Sequence, residues 1–135
     1  MNLKDLLAVS GMPGLYKLSS SRNNGLVVQN IDDDKTQFCS IRKHQFTPME
    51  TVAIYTMSDT IEIKDVFQRM LDQLEDNPPV NVKGDKAVIR EYFEDIIPEY
   101  DKDRVYIGDM IKVIKWFNFL NDRGYLTATA ADEEE

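Results

Sequence analysis

The chain reads as an α+β protein, a small antiparallel β-barrel or bent sheet with flanking helices followed by a small helical domain. Three observations predict this. Five short segments rich in β-branched and aromatic residues crowd between residues 15 and 63, with turn chemistry between them. Beyond residue 63 the apolar residues change to helical spacing. Pro78, Pro79 and Gly84 then separate the first helical pattern from two more.

Taken in order, Asn2 is the predicted N-cap of a helix over residues 3–9, with Leu3, Leu6 and Leu7 on one face. Gly11, Pro13 and Gly14 end it, because glycine supplies a left-handed exit and proline cannot continue a helix. The strand-like segments are 15–18, 26–31, 36–41, 52–57 and 60–63. An Asn24-Gly25 pair, the run Asp32-Asp33-Asp34-Lys35 and Ser58-Asp59 supply turns between them. Closing so small a sheet protects its edges, which favours an SH3-like barrel, with residues 42–51 and Pro48 as its longest irregular piece.

Ile63, Val66, Phe67, Met70, Leu71 and Leu74 predict an amphipathic helix over 64–75. Residues 1–75 are thus expected to form the β-barrel domain and 76–84 a linker. A helical domain follows over 85–126. Asp85 is the predicted N-cap of its first helix, which points Ile89, Phe93, Ile96 and Ile97 inward and stops before Pro98. The last helix is expected to open at Gly108 and Asp109. Met110, Val113, Ile114, Phe117 and Leu120 line its inner face, which Trp116 and Phe119 widen. Gly124 fits the C′ position. Residues 127–135, ending Asp132-Glu133-Glu134-Glu135, read as a disordered acidic tail.

An apolar fraction of 42% supports a core, yet no run approaches the roughly 18–20 apolar residues of a membrane span. One cysteine excludes an internal disulfide framework, and Leu6 to Val9 is too short an apolar patch for a secretory signal. Cytoplasmic residence is therefore expected. The net charge of −8 disfavours polyanionic partners. Its distribution is uneven: residues 1–57 hold six cations against five anions, which leaves −9 for the remainder.

Two blocks, LKDLLAVSGMPGLYKL (3–18) and YDKDRVYIGDMIKVIKWFNFL (100–120), resemble the hallmark segments of an uncharacterised family of small Bacteroidetes proteins. That family joins an N-terminal small β domain to a C-terminal helical domain and usually ends in an acidic tail. The resemblance implies a domain plan and brings no catalytic residues. One departure is Gly108, which stands where the pattern expects a serine-like helix cap; glycine is nearly as good there.

Asp101, Asp103 and Asp109 do not make a calcium loop, since the required glycine and glutamate positions hold Tyr106 and Lys112. Helix capping and pairing with Arg104 explain them better. His44 and Cys39 are too few for a zinc set, and a mid-strand cysteine reads as a small buried hydrophobe rather than a nucleophile. No glycine pattern cradles phosphate. We therefore expect no catalytic residue, no metal and no cofactor.

The expected function is a non-enzymatic interaction or adaptor module with protein as its partner class and no membrane role. The alternative is nucleic-acid binding. It would use the loop of Arg42, Lys43, His44 and Phe46, or the Lys112 and Lys115 face of the last helix, which resembles a winged-helix recognition helix. Arg104 is a further candidate anchor.

Overall fold

A computed structural model of the chain describes residues 3–126. Asn2 and the acidic tail lie outside the described residues. The chain divides into two compact units, Leu3–Val52 and, among the described residues, 53–126.

The first unit is a five-stranded antiparallel sheet of β1 (Leu6–Val9), β2 (Tyr16–Arg22), β3 (Gly25–Asn30), β4 (Thr36–Ser40) and β5 (Phe46–Pro48). The spatial order is β4-β3-β2-β1-β5. The sheet is open. β4 and β5 stand at opposite edges and do not pair, so the expected barrel closure does not occur. β5 arises within the segment expected to be irregular.

The predicted N-terminal helix is instead β1, at the second position from one edge. Asp5 takes a left-handed φ of 63°, which ends any helical path before Leu6. Leu6, Leu7 and Val9 are all buried, so both faces of this strand are covered. Leu7 and Val9 join Val28 and Cys39 in the core, with Met12, Tyr16, Leu18, Leu26 and Phe46 packed around them. A short 3-10 turn, Met49–Thr51, packs alongside β1 and buries Met49.

Strands β2 and β3 form a tight hairpin in which Arg22 pairs with Gly25. A bulge between Leu18 and Ser20 absorbs one extra residue and lets β2 run beyond its apolar start into the serines. Gly25 is required by close approach. A Cβ there would overlap the main-chain carbonyl of Cys39 and stand 2.8 Å from the Phe38 ring.

The second unit begins with a hairpin of β6 (Ala53–Tyr55) and β7 (Thr60–Glu62), followed by α1 (Ile63–Asp72), α2 (Lys86–Ile96) and α3 (Ile107–Asp122). The unit boundary thus falls between Val52 and Ala53 rather than at residue 75. Packing accounts for the difference. α1 buries Val66, Phe67 and Met70 and packs on α2 and α3, where the Phe67 and Phe117 rings lie 6.1 Å apart. Residues 76–84 are consequently a loop inside one unit. Asn77 ties back to Gln73 through its N–H (2.7 Å), and the Gln73 amide reaches the Asp95 carbonyl at 3.4 Å.

The helix ends follow the sequence closely. The Asp85 carboxylate accepts the Ala87 N–H at 2.8 Å, and α2 ends at Ile96, two residues before Pro98. In α3 the N-cap is Tyr106, not Gly108; the Asp109 carboxylate accepts the Tyr106 N–H at 3.0 Å. Gly124, at φ 75°, closes the helix. The Tyr125 N–H reaches the Leu120 carbonyl and the Gly124 N–H reaches that of Asn121, both bonds of a Schellman motif.

Within this core Tyr92 is anomalous. Its hydroxyl is buried without a hydrogen-bond partner, and burial pushes the phenol pKa up. An orphaned buried hydroxyl costs about 1–3 kcal/mol. Tyr92→Phe is therefore expected to leave stability unchanged or to raise it by about 1 kcal/mol, read as a higher denaturation midpoint. A clear loss would mean that the hydroxyl has a partner in solution.

Candidate interaction surfaces

The seven sequence-predicted site residues fall in both units. Arg42 and Lys43 are exposed in the turn after β4. His44 is half-buried, and its Nδ1 lies 2.8 Å from the Ser10 carbonyl. A carbonyl only accepts, so Nδ1 carries the proton and the ring pins this loop to the end of β1. The Ser10 hydroxyl takes the Gln45 N–H at 2.7 Å, completing the attachment. Phe46 lies in β5 against the core. In the other unit, Lys112 and Lys115 are exposed on the polar side of α3.

The surroundings of Cys39 do not suit a nucleophile. Cys39 is 1% exposed, its thiol points to the Met12 sulfur at 3.7 Å, and burial raises its pKa. A buried thiol held in its neutral form is a poor nucleophile. It should resist a thiol-specific reagent in the native protein and react fully once unfolded; rapid native labelling would contradict its burial.

Arg104 is the predicted residue with the richest surroundings. Its Nε donates to Asp101 Oδ2 at 3.0 Å, and its guanidinium lies 4.8 Å from the centre of the Tyr55 ring. Asp101, 8% exposed, is the hub of this turn. Its Oδ1 accepts the Asp103 N–H, its carbonyl accepts those of Arg104 and Val105, and its own N–H donates to Tyr55. The acidic turn is therefore tied by pairing and capping, as the spacing of its carboxylates suggested. No group of three or more metal-ligating side chains occurs among the described residues.

The same turn joins β6 to the helices. Thr56 bridges to Tyr100, and the Met57 N–H donates to the Glu99 carbonyl at 2.9 Å. Alternation along β6 and the two residues after it buries Ile54 and Thr56 and sends Tyr55 and Met57 outward, 47% and 73% exposed. Tyr106, two residues beyond Arg104, is also well exposed. Tyr55, Met57 and Tyr106 were missed in the sequence, where residues 52–57 read only as a strand. The period-2 pattern that marks Ile54 as inward was the available signal for Tyr55 and Met57.

An open cleft of about 790 Å³ lies beside this hairpin. Asp59, Glu62, Asp65 and Glu99 line it together with Arg69 and neutral residues. Arg69 is engaged by both Glu99 oxygens, at 2.8 and 3.2 Å, and by the Ile96 carbonyl. The guanidinium hydrogen bond holds the Glu99 carboxyl below its ordinary pKa. Both partners are substantially exposed, so the pair adds little stability.

This is a two-unit α+β protein. It belongs to the family described as Domain of unknown function DUF6852, whose model matches residues 52–120. A second model, Domain of unknown function DUF5606, matches residues 3–49, so the two matches meet close to the structural boundary. A solution NMR structure of a protein from Bacteroides vulgatus is 30% identical, with 90% of this chain and 87% of that one aligned at a TM-score of 0.73. No curated protein matches the chain. The comparisons thus agree with a family of unestablished activity. No helix among the described residues is long and apolar enough to cross a membrane.

Proposed function

We propose that the protein is a non-enzymatic interaction module and that the Tyr55, Met57, Arg104 and Tyr106 surface binds another protein. One observation carries this reading: two tyrosines, a methionine and an arginine stand exposed on and around a single turn. These residue types are enriched in protein interfaces and, for Tyr and Arg, at their energetic centres. Arg104 is already oriented by Asp101 and Tyr55, so little side-chain freedom is lost when a partner docks. Residues 53–126 carry ten cations against fifteen anions, which favours a partner with basic side chains.

Nucleic-acid binding by the Arg42–Phe46 loop is the weaker reading. Phe46 is partly buried against the core, which limits its use as a stacking platform, and His44 is occupied with Ser10.

The test is affinity capture with the full chain, run with and without nuclease, comparing wild type, Tyr55→Ser with Tyr106→Ser, and Lys112→Ala with Lys115→Ala. Proteins retained by wild type and the lysine variant but lost from the tyrosine variant support the reading. Retention by all three, or recovery of nucleic acid that depends on the lysines, overturns it.

A further inference from the structure

The two edges of the sheet are not equally protected. β5 has three residues and ends at Pro48, whereas β4, Thr-Gln-Phe-Cys-Ser, has five residues with no charge and no proline. Short length, proline and charge are the usual means of blocking an exposed edge. β4 uses none of the last two within the strand.

The direction of its main-chain groups follows from two hydrogen bonds. The Ile41 N–H donates to Asn24 and the Lys35 carbonyl accepts from Asn30. Alternate residues of an antiparallel strand face the same neighbour, so residues 35, 37, 39 and 41 face β3. Thr36, Phe38 and Ser40 turn their N–H and C=O groups away from the sheet. The Ser40 carbonyl is taken up by the Lys43 and His44 N–H groups; the Thr36 and Phe38 groups and the Ser40 N–H meet no strand. Phe38 is 46% exposed, with its ring tip over Gly25.

Charge is arranged about the same residue. Asp33 and Asp34 precede β4, while Arg42 and Lys43 follow it. Counting outward from Phe38, Asp34 and Arg42 are equally distant, as are Asp33 and Lys43. The edge is therefore complementary to itself when reversed.

We propose that two copies of this chain pair edge to edge through β4, antiparallel, about a two-fold axis at Phe38. This register sets Phe38 opposite Phe38 and Thr36 opposite Ser40, all residues whose main-chain groups face outward. An axis moved by one residue would oppose groups that already bond to β3. Each copy's acidic turn then lies alongside the other's Arg42 and Lys43, while each Phe38 ring stays over Gly25 of its own copy. The interface is isologous, as a two-fold dimer requires. Five paired residues make a small interface, so association is weak and concentration-dependent. The proposal stands apart from the partner-binding surface, which lies in the other unit; either can fail without the other.

Sedimentation equilibrium on the full chain tests it, across about a hundredfold range of concentration reaching roughly 1 mM. The wild-type mass should rise from 15.6 kDa toward twice that value. Two variants carry the test of register, Asp33→Lys with Asp34→Asn, and Arg42→Glu with Lys43→Glu. Each alone should weaken self-association by about tenfold or more, through like charges brought together. An equimolar mixture should recover association, because three of the four charge contacts are then of opposite sign and none is between like charges. A wild type that stays at 15.6 kDa, variants that associate like wild type, or a mixture that does not recover, each overturns the proposal. Should a variant fail to fold, isotope-filtered NOEs between labelled and unlabelled wild-type copies decide. Cross-peaks at Phe38 support the pairing, and their absence in a concentrated mixed sample overturns it.

Discussion

Phe117→Ala is expected to destabilise the unit of residues 53–126 by about 3–5 kcal/mol, the range for truncating a fully buried aromatic ring. Phe117 is completely buried in α3, and its ring lies against Phe67 of α1. Its loss removes apolar contact from two helices at once, and the space left is bounded by packed helices that relax only in part. Val113, Ile114 and Leu120 on the same helix are equally buried, so no exposed neighbour can swing in to fill the space. Since a domain's total stability is about 5–15 kcal/mol, this change alone takes much of it. Lys112→Ala, on the exposed side of α3, should change stability by no more than about 0.5 kcal/mol. Chemical denaturation of both variants measures the contrast; equal effects would contradict the assignment of the two faces.

The second large effect is expected at Gly25. Alanine there places a Cβ against the Cys39 carbonyl, and main chain cannot swing aside as a side chain can. Either β3 and β4 separate or the ladder shifts, at a cost of about 1–3 kcal/mol typical of overpacking. Gly108 makes the opposite case. A Cβ at Gly108 meets no atom within 4 Å, and the residue lies in the first turn of α3. Gly108→Ala should stabilise by up to about 1 kcal/mol, because alanine loses less conformational entropy in a helix. Denaturation midpoints should therefore move in opposite directions for the two glycine-to-alanine changes. A neutral Gly25→Ala would mean the strands are farther apart than described.

The helices were legible because their signals are local. Asp85 as cap, Pro98 as stop, Gly124 as left-handed exit and the apolar spacing of residues 63–74 each act within one or two turns of chain. What was misread depended on distant partners. Leu3, Leu6 and Leu7 have helical spacing, but Leu6-Leu7-Ala8-Val9 is also a short continuous apolar run, which a strand covered on both faces requires. Local pattern cannot separate these readings; pairing with β2 and β5 decides between them. Barrel closure was likewise inferred from the general cost of open edges, yet the chain leaves β4 and β5 apart.

The unit boundary was misplaced for a related reason. Prolines and glycine at 78–84 look like a linker, but α1 before them and α2 after them share one core. For the sites, spacing correctly tied Asp101 to Arg104. It did not reveal the cation over Tyr55, whose ring is supplied by a strand nearly fifty residues earlier.

The proposed binding surface exists because β6 folds with the helices and not with the N-terminal sheet. Native-state hydrogen exchange on full-length Phe117→Ala tests that division directly. The amides of α1 should lose protection together with those of α2 and α3, by a common free energy. If α1 instead keeps its protection and follows the amides of β2 and β3, α1 belongs with the sheet and the division at Val52 and Ala53 is wrong.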